Sequence, residues 1–202
     1  MALIDVISIN SGKDTQRIEL HQGDLTQLAP QDAVDLLIVS AFRGECLPTP
    51  KSLIGALAAK GLSVYNLSQN KAIDLRAAFS CWLSHPFIAE HPGLRFNRIL
   101  CFEPAERSYA PDSVGDIFRA LAPFIGGEPY IQTAAMPIVA SGSQGYPIET
   151  MLPPIIAAAR HWMEIGLPLK TLKIYVYSDA EVSPAKRLFA KCKSPIAVSQ
   201  GR

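Results

Sequence analysis

The stretch that decides the fold is Met-Pro-Ile-Val-Ala-Ser-Gly-Ser-Gln-Gly-Tyr-Pro, residues 136–147. Its first half is short, apolar and partly β-branched, which predicts a buried strand. Its second half is a loop rich in Gly and Ser, and a helical pattern follows it. Gly142 and Gly145 can adopt positive φ, and the helix N-terminus beyond them would add free N–H donors. The stretch therefore indicates either an anion-binding loop or an ordinary strand-to-helix turn.

The composition is that of a globular protein that can bury a sizeable core. The chain has 202 residues, of which 49% are hydrophobic and 18% are charged. This length predicts one domain, residues 1–202. The formal net charge of +1 gives no reason to expect a nucleic-acid partner, so any charged ligand has to be held by a local site.

The cysteines and the hydropathy pattern exclude several classes of protein. The four cysteines are widely spaced, without a Cys-x-x-Cys pair, so we expect neither a metal site nor a disulfide framework. Cys81 and Cys101 lie in apolar surroundings and are predicted to be core thiols. No signal peptide and no apolar run of membrane-spanning length is visible. We expect a cytoplasmic protein without a membrane partner or a bound cofactor.

Strand and helix patterns alternate along most of the chain. Strands are predicted at Leu3–Ile9, Arg17–His21, Val34–Phe42, Leu62–Leu67, Arg98–Phe102 and Thr171–Tyr177. Helices are predicted at Ser52–Lys60, Asp74–Ser84, Asp112–Phe124, Ile148–Met163 and, with Ser183 as N-cap, Ser183–Lys193. Pro153 and Pro154 mark either the start of the fourth helix or a kink in it. The alternation predicts an α/β domain with a mostly parallel sheet covered on both faces.

Three segments follow predicted strands, and ligands in such folds lie beyond the carboxyl ends of the strands. They are Asp24, Ser40–Gly44 and Ala140–Tyr146, which we expect to line one cleft. Asp24 could equally cap a short turn, since Asp is a common capping residue.

The same three places carry a resemblance to the macrodomain family. Gly23-Asp24-Leu25-Thr26 resembles the family's Gly-Asp-Ile-Thr element, and Val34-Asp35-Leu36-Leu37-Ile38 resembles its strand Val-Asp-Ala-Ile-Val. Residues 137–147 resemble, in register, its second phosphate loop, Pro-Ala-Ile-Ser-Thr-Gly-x-x-Gly-Tyr-Pro. The resemblance covers most of the chain in outline and three short stretches in detail.

The resemblance implies a three-layer α/β/α fold around a mixed, mostly parallel sheet, and a site for ADP-ribose or a related NAD-derived nucleotide. Asp24 would accept a hydrogen bond from the adenine amino group, and the loop from Ser141 to Tyr146 would hold the diphosphate and the far ribose. An ADP-ribosylated protein is one option for a partner. The ligand-binding residues expected are Asp24, Leu25, Ser40, Ala41, Phe42, Arg43, Ser141, Gly142, Ser143, Gln144, Gly145 and Tyr146.

The segment after the third predicted strand departs from the family pattern. The family usually carries Asn-Ala-Ala-Asn and a run of glycines there, whereas this chain has Ser40-Ala41-Phe42-Arg43-Gly44-Glu45-Cys46. Both asparagines are missing, so we expect weak or absent hydrolysis of ADP-ribosyl bonds, and no catalytic residue is assigned. Arg43 is a candidate phosphate contact in place of the glycines, and Cys46 a much weaker candidate nucleophile.

Three functions are consistent with these features. The first is a module that binds ADP-ribose or a related nucleotide. The second is an ADP-ribosyl hydrolase or a phosphoesterase acting on an ADP-ribose derivative. The third is a scaffold that has lost its ligand. The presence of Asp24 and of the whole Ser/Gly loop favours the first.

Overall fold

We analysed a computed structural model that describes residues 1–11, 14–50, 52–105, 109–122 and 130–193. The strands are β1 Ala2–Ser11, β2 Asp14–Gln22, β3 Leu36–Ser40, β4 Lys71–Asp74, β5 Cys81–Ser84, β6 Arg98–Phe102, β7 Thr133–Pro137 and β8 Thr171–Val176. The helices are α1 Leu53–Ala59, α2 Val64–Gln69, α3 Arg76–Phe79, α4 Ala110–Ser113, α5 Asp116–Arg119, α6 Ile148–Glu164 and α7 Asp179–Lys193.

The strands form one sheet in the order β1-β2-β8-β7-β3-β6-β5-β4. The five central strands from β2 to β6 are parallel, and the pairs at the two edges are antiparallel. The predicted mixed, mostly parallel sheet is confirmed. That residues 1–202 make a single domain stays a prediction.

Helices cover both faces of the sheet because its central strands are apolar on both faces. In β3, Leu36 and Ile38 face the core under α4 to α7, whereas Leu37 and Val39 face the core under α1 and α2. This alternation follows from the two-residue period of a strand. The predicted three-layer α/β/α arrangement is thus present. Within the described residues, no helix has both the length and the apolarity needed to cross a membrane.

Two predicted elements between residues 62 and 84 are wrong. Residues 64–69 form a helix instead of a strand, because the Ser63 hydroxyl accepts the Asn66 N–H as an N-cap. The predicted helix Asp74–Ser84 is instead one turn, α3, between β4 and β5. Ser80 adopts a left-handed conformation (φ 49°), and the fully buried run Cys81–Ser84 then pairs with β6. Short buried apolar runs cannot be assigned to strand or helix by periodicity alone.

Two helix boundaries differ from the prediction, whereas the predicted start of a third helix at Ile148 is confirmed. Val114 and Gly115 separate α4 from α5 in place of one long helix, and its predicted end at Phe124 lies outside the described residues. The helix α6 begins at Ile148, so Pro153 and Pro154 lie inside it. The helix α7 begins at Asp179, where the Glu181 carboxylate accepts the N–H groups of Tyr177 and Ser178; Ser183 is therefore not its N-cap.

Candidate functional site

A cleft of about 1030 Å³ opens at the carboxyl ends of the adjacent parallel strands β2, β8, β7 and β3. Gly23 follows β2, Val176 ends β8, Pro137 ends β7 and Ser40 ends β3, and all four residues line it. The first turn of α1 forms one wall. A cleft at this edge is where open α/β sheets place their ligands.

Nine of the twelve residues predicted to bind ligand line this cleft: Asp24, Leu25, Ser40, Ala41, Phe42, Ser141, Gly142, Ser143 and Gln144. Arg43, Gly145 and Tyr146 are not among the lining residues. The Arg43 guanidinium donates to the Arg76 carbonyl, and the Tyr146 hydroxyl accepts the Ala110 N–H. The fold thus brings most of the predicted set together, and contact with a ligand stays a prediction.

Asp24 has a structural role at one end of the cleft. One carboxylate oxygen accepts the Thr26 N–H and hydroxyl at 2.8 and 2.7 Å, and the other accepts the exposed Gln27 amide at 3.1 Å. Asp24 therefore caps the short turn that follows it, as considered from the sequence. Because an ionised carboxylate offers about four acceptor sites, three protein donors leave room for one more donor.

An exposed aromatic ring at the same end was missed by sequence reasoning. Tyr177 follows β8, lines the cleft and is 75% exposed. The Gly23 N–H donates to the Val176 carbonyl, which ties the segment that carries Asp24 to the end of β8. The signal that could have identified Tyr177 from the sequence is its position at the end of a strand of the predicted parallel sheet. Tyr177 and Asp24 together offer a flat apolar face and a hydrogen-bond acceptor at this end of the cleft.

The loop of residues 138–146, here called the Ser/Gly loop, is closed by its own backbone and tied to the end of β3, where the Ser40 hydroxyl accepts the Ala140 N–H and the Gln144 amide donates to the Ala41 carbonyl. The N–H groups of Ser141, Gly145 and Tyr146 donate to the carbonyls of residues 138, 142 and 140. Positive φ occurs at Ala140 (63°) and Gly145 (73°). Of the two glycines that could adopt positive φ, only Gly145 does so; Gly142 does not, and a Cβ at Gly142 would meet open space.

Three consecutive N–H groups of the Ser/Gly loop are left without a protein partner. Within the described residues, no acceptor is present for the backbone N–H of Gly142, Ser143 or Gln144. All three residues line the cleft. Consecutive unpaired N–H groups in a turn form an anion-binding concavity. The first turn of α6 does not add to it, because none of its residues lines the cleft.

The loop of residues 42–50, here called the β3–α1 loop, is held by a buried carboxylate that sequence reasoning also missed. Glu103 is fully buried just past β6. One of its oxygens accepts the Trp82 indole N–H at 2.6 Å and the Cys46 thiol at 3.2 Å. The other accepts the Gly44 N–H at 3.0 Å and Arg76 at 3.3 Å.

Arg76 connects an exposed carboxylate to the buried one. It makes short hydrogen bonds to the exposed carboxylate of Asp74 and reaches the buried Glu103. These contacts raise the pKa of Arg76, mainly through Asp74, and Arg76 in turn lowers the pKa of Asp74. The Arg76 guanidinium therefore stays charged and compensates the buried carboxylate that holds the β3–α1 loop.

The charged side chains that the described residues contribute to the cleft are all carboxylates. None of its described lining residues is Lys, Arg or His, whereas Asp24, Glu45 and Glu181 contribute carboxylates. A bound anion would therefore be held by backbone dipoles of the Ser/Gly loop. The two loops touch at the rim, where the hydroxyls of Thr49 and Ser143 are 3.3 Å apart.

Neither a protein-family model nor a curated protein sequence matches this chain. The structure, in contrast, is similar to solved macrodomains. The Oceanobacillus iheyensis macrodomain with ADP superposes with a TM-score of 0.65 at 15% identity, covering 93% of this chain and 96% of that one. The Trypanosoma brucei macrodomain in complex with ADP-ribose superposes with a TM-score of 0.62 at 16% identity, covering 85% of this chain and 68% of that one.

The chain has the macrodomain fold. The resemblance noted in the sequence is confirmed at the level of fold, and the segment after β3 departs from the family pattern. Both asparagines of that pattern are absent, and the β3–α1 loop is anchored to Glu103 through Gly44 and Cys46. The side chain that fixes this loop thus comes from the neighbouring strand β6.

Proposed function

We propose that this macrodomain-fold chain binds ADP-ribose or a related NAD-derived nucleotide in the cleft. The observation that carries the proposal is the arrangement of the cleft itself. A carboxylate with one free acceptor site lies at one end, and three unpaired backbone N–H groups lie on the Ser/Gly loop. The macrodomain neighbours solved with ADP and with ADP-ribose share this fold.

The chemistry of the cleft matches the parts of such a nucleotide. Asp24 would accept the adenine amino group, since a carboxylate is an acceptor and the amino group a donor. The exposed ring of Tyr177 would pack against the base, as aromatic side chains commonly do with nucleobases. The free N–H groups of residues 142–144 would bind the diphosphate, as backbone nests bind phosphate elsewhere.

The charged side chains among the described lining residues are carboxylates, which favours a ligand that carries more than phosphate. Surface cations attract any polyanion, whereas backbone donors beside three carboxylates bind a diphosphate only when it is placed accurately. The base and ribose at the other end of the cleft would provide that placement. We therefore expect ADP-ribose to bind more tightly than inorganic pyrophosphate.

The test is isothermal titration calorimetry of the full chain with ADP-ribose, ADP, AMP, NAD and pyrophosphate. We expect ADP-ribose to bind, and Asp24→Asn to weaken binding by about 10- to 100-fold, or about 1–3 kcal/mol. Asn can still accept the Thr26 donors, but its amide would present a donor to the adenine amino group.

Asp112→Asn is the matched control, because Asp112 is exposed on α4 and outside the cleft lining. It makes the same change in net charge and should leave the affinity unchanged. A folded wild-type chain that binds none of the five compounds would contradict the proposal. So would equal affinities for ADP-ribose in the wild type and Asp24→Asn.

An ADP-ribosylated protein as partner and a cytoplasmic location are further predictions. Hydrolysis is expected to be weak or absent because both family asparagines are missing. Release of ADP-ribose from a mono-ADP-ribosylated protein, abolished by Gly142→Glu, would assign the chain to the hydrolase alternative instead.

A further inference from the structure

Three buried metal-ligating side chains meet beneath the β3–α1 loop. The thiols of Cys46 and Cys101 and a carboxylate oxygen of Glu103 all lie within 4.8 Å of one another. Ligand atoms in a tetrahedral zinc site stand roughly 3.3–3.8 Å apart, given metal–ligand distances of about 2.0–2.3 Å. The three atoms are therefore within about 1 Å of the spacing that a zinc ion requires.

The fold creates this cluster from residues that the chain keeps apart. Cys101 lies on β6 and Glu103 just past its end, and residues two apart in an extended segment point to the same face. The β3–α1 loop brings Cys46 onto that face, where its thiol donates to Glu103 at 3.2 Å. The spacing Cys46…Cys101 has no signature in sequence, which is why the sequence predicted no metal site.

The Glu103 carboxylate can use one of its lone pairs to bind a metal. The Glu103 oxygen nearest the thiols accepts two donors, the Trp82 N–H and the Cys46 S–H. When Cys46 loses its proton to bind a metal, the second of these hydrogen bonds disappears and its lone pair becomes free. The Trp82, Gly44 and Arg76 donors remain and would orient the carboxylate, as partners behind metal ligands generally do.

The charges balance in both states of the cluster. Without a metal, both cysteines are thiols, and Glu103 is paired with the Arg76 guanidinium. Zinc binding would replace two thiol protons with one divalent cation, so the net charge of the buried cluster would not change. A buried site avoids a large desolvation cost when its charges are compensated in this way.

We propose that Cys46, Cys101 and Glu103 form a binding site for Zn²⁺ that fixes the β3–α1 loop to strand β6. Two thiolates and a carboxylate are ligands that zinc accepts, and three protein ligands leave the fourth tetrahedral position to water or another small ligand. The binding step is Zn²⁺ plus two thiols giving a zinc dithiolate and two released protons, without oxidation or reduction.

The proposal is tested on the reduced full chain, kept with a phosphine reductant, by adding Zn²⁺ and recording thermal melts. At zinc concentrations about 100-fold above Kd we expect Tm to rise by about 5–10 °C. Co²⁺ should give the thiolate-to-cobalt charge-transfer absorption expected for sulfur ligation.

Cys46→Ser and Cys101→Ser should each abolish the Tm shift and the cobalt absorption. Cys192→Ser is the matched control, since that half-buried thiol on α7 is outside the cluster and should not alter either signal. A wild-type chain with no Tm shift and no cobalt absorption overturns the proposal. Retention of both signals in Cys101→Ser does the same. None of these readouts depends on nucleotide binding.

Discussion

The two loops that line the cleft follow neighbouring parallel strands, yet they differ in which groups close them. The Ser/Gly loop after β7 is closed by backbone hydrogen bonds between residues no more than six apart. The β3–α1 loop is anchored by a buried side chain, Glu103, that lies 59 residues from Gly44. The Ser/Gly loop leaves three N–H groups free for a ligand, whereas in the β3–α1 loop the Gly44 N–H donates to Glu103.

This difference separates the contributions of the loops. A backbone-closed loop can present donors to an anion without any side chain, so its function depends on local conformation and on open space. A loop anchored by a buried carboxylate depends on the core, since each donor to Glu103 would be left unpaired if that carboxylate were lost. We therefore expect damage to the first loop to reduce binding, and damage to the second to reduce stability.

The largest expected effect is on the anchor of the β3–α1 loop. Glu103→Ala should lower the free energy of unfolding by about 3–5 kcal/mol, because it leaves the buried Trp82 N–H and the Gly44 N–H without their acceptor at the same time. Glu103→Gln should cost less, about 1–3 kcal/mol, because it keeps the shape and one acceptor. Urea unfolding of the zinc-free protein measures both.

Asp74→Asn provides the comparison for this experiment. It removes the other carboxylate that Arg76 contacts, but that carboxylate is 44% exposed, so the cost should stay below about 1 kcal/mol. Equal stability of Glu103→Ala and the wild type would show that the β3–α1 loop does not depend on the carboxylate. The contrast between the two loops would then be wrong.

The next effect concerns binding by the Ser/Gly loop. Gly142→Glu should weaken ADP-ribose binding by about 100-fold or more, which corresponds to about 3 kcal/mol. The added carboxylate would face a diphosphate in a cleft to which the described residues already contribute three carboxylates, and like charges brought together in an interface cost several kcal/mol. Calorimetry measures the loss.

Gly142→Gln separates charge from bulk, since glutamine has nearly the same size without the charge. We expect it to lose less affinity than Gly142→Glu. Both variants should remain folded, because a Cβ at this position meets no atom within 4 Å. If Gly142→Glu bound ADP-ribose as tightly as the wild type while remaining folded, the ligand would not lie on the Ser/Gly loop.

The features that could be predicted from the sequence are those that neighbouring residues determine. The Ser/Gly loop, Asp24 and the central strands were predictable because adjacent residues determine them: a Gly/Ser run after an apolar run, an Asp before a turn. Glu103 was not, because nothing near Cys101-Phe102-Glu103 indicates that Gly44, Cys46 and Trp82 would converge on its carboxylate. The helix predicted across Asp74–Ser84 failed for the same reason, since pairing with β6 determines β5.

The smallest expected effect tests where the Ser/Gly loop is conformationally demanding. Gly145 has a φ of 73°, whereas Gly142 has no positive φ, and a Cβ at either position would meet open space. Gly145→Ala should therefore lower the free energy of unfolding by about 1–2 kcal/mol through the backbone alone, because L-residues disfavour the left-handed region. Gly142→Ala should change it by less than about 0.5 kcal/mol, as surface substitutions usually do. Thermal or urea unfolding measures both costs. The two variants are closely matched, because each adds one methyl group to the same loop at positions three residues apart. Equal costs would show that the left-handed residue is not what closes the loop, and that its shape comes instead from contacts outside residues 138–146.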